Sequence, residues 1–234
     1  MSNPIAVIFD MDGLMLDTER LELVTCQRAG QELGFPVSES LYVEVVGRTS
    51  KDTARIFSEH FGDAFSYSNF RACWRKHTEA YVEEFGVAIK PGLIEMLDLL
   101  ELHSVPKAVA TQTGSHSAAH RLAIVGVGHR FQVLVGGDEV ENGKPAPDLY
   151  LEAARRLDML PGHCIALEDS EPGILSAYAA GMIPILIPDM KQPSVEVRQL
   201  AHRIFKSLNE AHSFFANLLK SITTQKTLDF LRDL

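Results

Sequence analysis

Five short apolar runs, each bounded by polar or turn-forming residues, recur along the chain. They lie at residues 5–9, 107–111, 133–137, 164–169 and 183–187. Because their apolar positions are nearly continuous rather than alternating, we expect strands that are covered on both faces of a sheet. Apolar positions at helical spacing fill the stretches between them, which predicts helices at 92–103, 115–125, 146–158 and 171–181. Alternation of this kind predicts an α/β fold with a parallel sheet.

One long stretch interrupts the alternation. Between the first strand and residue 92 the pattern has helical periodicity only, and the predicted helices are 18–34, 38–46, 50–62 and 68–86. A loop of this length without a core of its own is improbable in a compact protein. The sequence therefore predicts a Rossmann-like parallel sheet core, residues 1–16 and 88–220, with an inserted all-helical domain at 17–87. Residues 221–234 are expected to form a short amphipathic C-terminal extension.

Charge and composition narrow the class of protein. With 22 Lys and Arg against 31 Asp and Glu, the net charge is −9, which argues against a nucleic-acid partner. No apolar run approaches the roughly 18 residues that span a bilayer, and the N-terminus lacks the features of a signal peptide. Three scattered cysteines without a CxxC pair favour a reduced setting. We expect a cytoplasmic protein that binds neither nucleic acid nor membrane.

Pairs of carboxylates follow two of the predicted strands. Asp10 and Asp12 come at the end of the first strand, and Glu168 and Asp169 come at the end of the fourth. Ligands of parallel α/β sheets bind at these carboxyl ends, and adjacent carboxylates repel one another unless a cation or hydrogen bonds compensate. Carboxylate oxygens suit Mg²⁺. Either pair alone also fits a solvated turn or a helix N-cap.

Two further strands are followed by groups that suit an anion. Thr111 and Gln112 lead from the second strand into a helix, where they could hold an anion or simply cap the helix. Lys144 lies between Gly143 and Pro145 at the start of another helix, where a cation gains nothing from the helix dipole. A phosphate oxygen would account for its charge. All four groups are expected at one edge of one sheet.

Three strings carry a resemblance to a known family. They are FDMDGLMLDTE at 9–19, GKPAPD at 143–148 and LEDSEPGI at 167–174. Together with Thr111 they resemble the four motifs of the haloacid dehalogenase-like superfamily. The resemblance covers the chain to about residue 215 and is to the subgroup of β-phosphoglucomutase, pseudouridine-5′-phosphatase and sugar-phosphate phosphatases. It implies a phosphatase whose inserted helices form a C1-type cap over the site.

The resemblance also implies roles for individual residues. Asp10 resembles the nucleophile that becomes an aspartyl phosphate, and Asp12 resembles the general acid and base. Thr111 and Lys144 resemble the groups that hold the transferring phosphoryl. The residues expected at the Mg²⁺ ion are Asp10, Asp12 through its backbone carbonyl, Asp169, and Glu168 as a ligand or beside one. Gly13 and Gln112 are also expected to contact substrate. Two more candidates come from their positions and not from the resemblance. Arg48, at a turn after Gly47, could touch the leaving group or form a surface ion pair, and His116, on the helix after Thr111, could reach the substrate or lie on a solvated helix face.

The predicted reaction is hydrolysis of a phosphate monoester on a small metabolite, such as a sugar phosphate or a nucleotide, by a monomer or weak dimer. Two alternatives stay open. A β-phosphoglucomutase-like phosphoryl transfer is weakened because Glu22 stands where the mutase typically carries His. A phospho-receiver signalling domain uses similar groups, but its acid pair comes on the first strand and its acceptor Asp on a later one.

Overall fold

A computed structural model describes residues 5–48 and 50–232, with side chains as far as Ser221. Six strands in this part of the chain form one parallel sheet in the order β3-β2-β1-β4-β5-β6. The strands are β1 Ala6–Phe9, β2 Lys107–Ala110, β3 Val133–Val135, β4 Cys164–Glu168, β5 Ile183–Leu186 and β6 Arg203–Ile204. This is the order of a Rossmann-type doubly wound sheet, which reverses between β1 and β4. The predicted fold class is confirmed.

The central strand β1 is buried on both faces, as its continuous apolar run predicts. Val7 and Phe9 belong to one apolar cluster, and Ala6 and Ile8 belong to the cluster on the opposite face. All four side chains have no exposed surface. Helices cover both faces of the sheet, so that β1 and its neighbour β4 end at a fixed position in the middle of the core.

The helices of the core follow the strands. They are α5 Leu93–Leu102, α6 Ser115–Ile124, α7 Asp148–Arg156, α8 Glu171–Ala179, α9 Val195–Leu200 and α10 Leu208–Arg232. The predicted strands and helices agree with these bounds to within a few residues, whereas β6, α9 and the first part of α10 have no counterpart in the prediction. The predicted extension at 221–234 continues α10 as far as Arg232 without a break. Residues 233–234, and the side chains that would dock this segment, lie outside the described part.

The inserted residues fold into four helices within the described ranges: α1 Thr18–Leu33, α2 Glu39–Val45, α3 Ser50–Phe61 and α4 Tyr67–Phe85. They have an apolar cluster of their own, in which Phe57 contacts Phe65, Phe70 and Trp74 with ring centroids 5.3–6.4 Å apart. Aromatic pairs at such distances add to the stability that area burial gives. These four helices are called the inserted helices below.

Two chain segments connect the inserted helices to the core, and they run side by side. Leu16 forms an antiparallel bridge with Ile89. The Asp17 N–H donates to Ala88 O at 2.8 Å, and the Lys90 N–H donates to Met15 O at 2.9 Å. Backbone hydrogen bonds therefore join the two connections into a narrow ribbon. The domain limits at 17 and 87 stay a prediction.

Ion pairs stabilise this ribbon. The Asp189 carboxylate, whose side chain is only 5% exposed, accepts from Lys90 Nζ at 2.6 Å and from Arg20 Nη1 at 3.1 Å. Asp189 lies beyond β5 and Arg20 lies on α1, so the pair links the core to the first inserted helix.

Among the described residues, no helix combines the length and the apolar character that crossing a membrane requires.

Candidate active site

A cavity of about 780 Å³ lies between the carboxyl edge of the sheet and the inserted helices. It is at the point where the strand order reverses, which is where ligands of such sheets bind. Eight of the ten predicted site residues line it: Asp10, Asp12, Arg48, Thr111, Gln112, His116, Lys144 and Asp169. Gly13 and Glu168 are buried and do not belong to the described residues that line it. The predicted motifs therefore meet at one edge of the sheet.

Asp10 and Lys144 form a buried ion pair at the bottom of the cavity. The Lys144 Nζ contacts an Asp10 carboxylate oxygen and lies 2.5 Å from Glu168 Oε1. Burial raises the pKa of the Asp10 carboxyl, and the Lys144 charge opposes this rise. Burial alone would lower the pKa of Lys144, but the two carboxylates outweigh it and hold that pKa above its usual value. Lys144 is therefore a fixed cation beside Asp10.

Glu168 is fully buried, and both of its carboxylate oxygens accept from protein donors. The Tyr150 hydroxyl donates to Oε1 at 2.6 Å, where Lys144 also binds, and the Ser170 hydroxyl donates to Oε2 at 3.1 Å. Gly173 makes room for the carboxylate, since a Cβ at that position would lie 1.8 Å from Glu168 Cδ. These contacts hold Glu168 as the group that orients Lys144.

One carboxylate oxygen from each of Asp10, Glu168 and Asp169 lies within 4.8 Å of the other two. Burial raises the pKa of Asp169, and the charges of Asp10 and Glu168 raise it further. Three buried carboxylates face one ammonium, so the cluster carries excess negative charge that a divalent cation would offset. An all-oxygen donor set of this kind fits Mg²⁺.

Gly13 serves the same cluster through its shape. Its φ of +83° is in the left-handed region, and a Cβ there would lie 2.2 Å from Asp169 Oδ2. The Gly13 N–H donates to Thr18 Oγ1 at 3.2 Å and to Leu16 O at 2.9 Å. Gly13 thus lets the chain approach Asp169 closely; its predicted contact with substrate stays untested.

Three donors hold the carboxylate of Asp12. The Thr113 and Thr111 hydroxyls donate to Oδ2 at 2.6 and 3.3 Å, and Arg121 Nη1 donates to Oδ1 at 2.9 Å. Arg121 Nη2 also lies 3.4 Å from an oxygen of Glu22 on α1. One guanidinium therefore joins Asp12 in the core to an inserted helix.

Thr113, Arg121 and Tyr150 are site residues that sequence reasoning missed. Thr113 lies two residues beyond Thr111 in the same polar string, and this spacing was a usable signal. Arg121 is 109 residues from Asp12, and Tyr150 is 18 residues from Glu168. On their helices each reads as an ordinary solvated or core position, so their roles depend on the tertiary structure.

Gln112 supports the loop that carries Lys144. Its side-chain Oε1 accepts from the Lys144 N–H at 3.0 Å. Gly143 is required for this approach, because a Cβ there would lie 2.4 Å from the same oxygen. Gln112 also lines the cavity, so it is placed both to shape the site and to contact a ligand.

The wall formed by the inserted helices carries charges of both signs. Arg48, Arg71 and Arg75 line the cavity together with Glu19 and Glu22. Burial raises the pKa of Glu19 to about 7, although the Tyr42 hydroxyl, which donates to it at 3.0 Å, opposes the rise. Such a wall can bind hydroxyl groups as donors and as acceptors.

Comparison with known proteins defines the class. The family model described as haloacid dehalogenase-like hydrolase matches residues 7–187. The chain belongs to this family, and the identification from its motifs is confirmed.

Named relatives support the enzyme class. The phosphorylated carbohydrates phosphatase of Thermotoga maritima is 35% identical over 179 residues, covering 76% of this chain and 82% of the relative. The fructose-1-phosphate phosphatase of Escherichia coli is 32% identical over 179 residues, covering 75% of this chain and 92% of the relative. The predicted class of phosphoric monoester hydrolase is confirmed.

A solved structure has the same fold. CbbY from Rhodobacter sphaeroides in complex with phosphate superposes with a TM-score of 0.74 at 26% identity, covering 88% of this chain and 95% of that chain. The same protein has been solved as a mutant with xylulose-1,5-bisphosphate, with a TM-score of 0.74 at 25% identity.

The strand order of the sheet separates this chain from receiver domains. Its order is 3-2-1-4-5-6, whereas the doubly wound sheet of receiver domains has the order 2-1-3-4-5.

Proposed function

We propose that this protein hydrolyses the phosphate monoester of a small phosphorylated carbohydrate through a phosphoryl group carried on Asp10. One observation carries the proposal: the Asp10–Lys144 pair lies at the bottom of the cavity, and the held carboxylate of Asp12 lines the same cavity. This arrangement supplies a nucleophile, a cation and a proton-transfer group to one bound phosphate. The names of the relatives support the carbohydrate.

In the first step, a carboxylate oxygen of Asp10 attacks phosphorus and the bond from phosphorus to the ester oxygen breaks. Asp12 donates a proton to the departing oxygen, which leaves as an alcohol. Lys144 lies against Asp10 and offsets charge on the phosphoryl oxygens. The Thr111 hydroxyl, 3.3 Å from Asp12, is placed to bind one of those oxygens.

In the second step, the Asp12 carboxylate accepts a proton from water, which attacks phosphorus. The bond between phosphorus and the Asp10 oxygen breaks, and inorganic phosphate leaves. Dividing the hydrolysis in this way replaces one difficult displacement by two easier ones. Thr113 and Arg121 keep the Asp12 carboxylate in position for both transfers.

We propose Asp10, Asp169 and the backbone carbonyl of Asp12 as the protein ligands of Mg²⁺. When bound there, the ion supplies positive charge that offsets the developing charge of the phosphoryl oxygens. Of the two roles the family resemblance allows for Glu168, its contacts favour the one beside a ligand, because its oxygens already bind Lys144, Tyr150 and Ser170.

We also propose that residues 17–87 act as a cap that closes over the substrate on the ribbon at Leu16 and Ile89. Closure would exclude bulk water during the first step. A cavity of about 780 Å³ is within the ~300–1,000 Å³ range of small-molecule sites. Arg48 and His116 line it and are proposed to contact the leaving group. The cytoplasmic setting and the monomer or weak dimer stay predictions.

The test is phosphate release from a panel of sugar phosphates and nucleotides, with Mg²⁺ and then with excess chelator. We expect metal-dependent release from one or a few sugar phosphates. Asp10→Asn should lower turnover at least about a thousandfold, because the amide cannot form the acyl phosphate. Asp63→Asn is the matched control, since Asp63 is exposed in the turn between α3 and α4 and its change should leave turnover unaltered.

Two outcomes would contradict the proposal. Turnover retained by Asp10→Asn would exclude Asp10 as nucleophile. Metal-dependent isomerisation of a sugar phosphate without net phosphate release would favour the mutase alternative over hydrolysis.

A further inference from the structure

We propose that Glu32, Cys73 and His77 form a second cation site, for a soft divalent ion such as Zn²⁺, between two of the inserted helices. Glu32 is in the last turn of α1, and the other two residues lie four positions apart on α4. Residues at that spacing share one helix face. None of the three lines the active-site cavity that the described residues form.

The three side chains already converge. The carboxylate oxygen of Glu32, the sulfur of Cys73 and a ring nitrogen of His77 lie within 4.8 Å of one another. His77 Nε2 lies 2.8 Å from Glu32 Oε2, and the Cys73 sulfur lies within 4.8 Å of the ligand atoms of both residues. Bringing them to a common ion therefore needs only small side-chain movements.

The helix pair holds these side chains in place. Trp74 Nε1 donates to Thr25 Oγ1 at 3.2 Å, and the Thr25 and Thr78 hydroxyls are 3.0 Å apart. These contacts lock α1 against α4 beside the three groups. The His77 side chain is 26% exposed and that of Glu32 is 52% exposed, so an ion can enter from solvent.

The donor set selects the ion. Sulfur, imidazole nitrogen and carboxylate oxygen are the usual ligands of Zn²⁺, with water in a fourth position. Mg²⁺ prefers oxygen ligands and is not expected here. On binding, Cys73 loses its thiol proton to solvent, and a neutral His77 binds through Nε2 with its ring proton on Nδ1. The ion thus takes the place of the hydrogen bond between His77 Nε2 and Glu32 Oε2.

One nearby charge opposes binding. Lys76 acts electrostatically on both Glu32 and Cys73. With both Glu32 and Cys73 as anions the site carries a charge of −2, and the Lys76 ammonium offsets part of it. Removing this charge should strengthen the site, which gives the proposal a test of opposite sign.

Co²⁺ is the probe, because its binding by a thiolate is visible as a charge-transfer band and its tetrahedral geometry as strong visible bands. The full chain is titrated with Co²⁺ in excess Mg²⁺, which keeps the active-site carboxylates occupied. We expect one equivalent with a thiolate band. Cys26 and Cys164 have no exposed surface, so Cys73 is the expected source of the sulfur.

Variants assign the ligands. Cys73→Ser should remove the thiolate band. His77→Gln should weaken binding by at least about tenfold, because mutating even a residue that only contacts a metal ligand lowers metal affinity by about that factor. Lys76→Gln should tighten binding, whereas exposed Arg55→Gln should leave it unchanged. Zn²⁺ should raise the Tm of the wild-type chain and leave that of Cys73→Ser unmoved. The far-ultraviolet circular dichroism spectrum of each variant shows that it is folded.

Absence of a thiolate band, or a Cys73→Ser chain that binds Co²⁺ as tightly as the wild type, would overturn the proposal. Looser binding by Lys76→Gln would refute the role of Glu32 and Cys73 as a pair of anions. These outcomes are independent of whether Asp10 is the nucleophile, because the readouts are spectra and melting temperatures.

Discussion

Replacing Tyr150 by Phe isolates the hydrogen bond that a buried hydroxyl donates to Glu168. Tyr150 is fully buried, and its hydroxyl lies 2.6 Å from the Glu168 oxygen that also binds Lys144. Phe keeps the ring that packs among Leu149, Ala153 and Ala166, so no cavity of consequence is created. The change therefore removes one donor to a buried charged acceptor.

The expected effect follows from that single contact. A hydrogen bond to a charged group contributes about 1.5–3 kcal/mol, and a buried acceptor that loses a donor keeps its desolvation penalty. Lys144 still binds the same oxygen, which limits the loss. We expect the free energy of unfolding to fall by about 2 kcal/mol. We also expect kcat to fall, since Glu168 then orients Lys144 less firmly.

Urea unfolding of the chain without metal measures the change. The single tryptophan, Trp74, lies on α4, so its fluorescence follows the inserted helices while far-ultraviolet circular dichroism follows the whole chain. If the inserted helices and the core unfold at different urea concentrations, circular dichroism shows two transitions. The transition that is absent from the Trp74 fluorescence then measures the unfolding of the core. The slope m should be unchanged, since the surface exposed on unfolding is the same.

Tyr178→Phe is the matched control. Its side chain is 56% exposed, and a change at such a surface position should stay within about 0.5 kcal/mol. A Tyr150→Phe chain that unfolds within the same margin as this control would refute the reasoning, because the hydroxyl would then contribute nothing that water does not replace.

Two further changes test the electrostatics around the site. Arg121→Gln should lower kcat by about tenfold or more with a smaller change in KM, because Asp12 loses a charged donor at 2.9 Å that positions it for proton transfer. Arg121→Lys should recover part of the lost kcat, and the exposed control Arg55→Gln should leave kcat unchanged. Equal kcat for all of these chains would contradict the positioning role of Arg121. Burial raises the pKa of Glu19 from 4.5 to about 7 in the folded chain. Between these two pH values the folded state keeps a proton that the unfolded state has lost. The free energy of unfolding should therefore fall as pH rises from 4.5 to about 7, by about 3 kcal/mol in total. Glu19→Gln should flatten this decline in metal-free urea unfolding between pH 5 and 8, and equal slopes for the two chains would refute the assignment.

The apolar pattern was enough to predict most of the sheet. The run at 5–9 predicted a strand buried on both faces, and β1 is such a strand. β6 could not be predicted in this way, because it is two exposed residues, Arg203 and Ile204, whose strand partner in the described part of the chain is β5. A strand of this kind exists because a neighbouring strand offers an edge, and its own sequence carries no signal for it.

The sequence by itself determined β1 to β5, the inserted helices and the charged groups at the strand ends, because these depend on local periodicity and on the rule that parallel strands end at one edge. Asp10, Asp12, Lys144, Glu168 and Asp169 could be named on that basis. Only the tertiary structure decided which donors hold them. Arg121 reaches Asp12 from α6, and Tyr150 reaches Glu168 from α7, because the packing of helices on the sheet fixes distances between residues that the order along the chain leaves open.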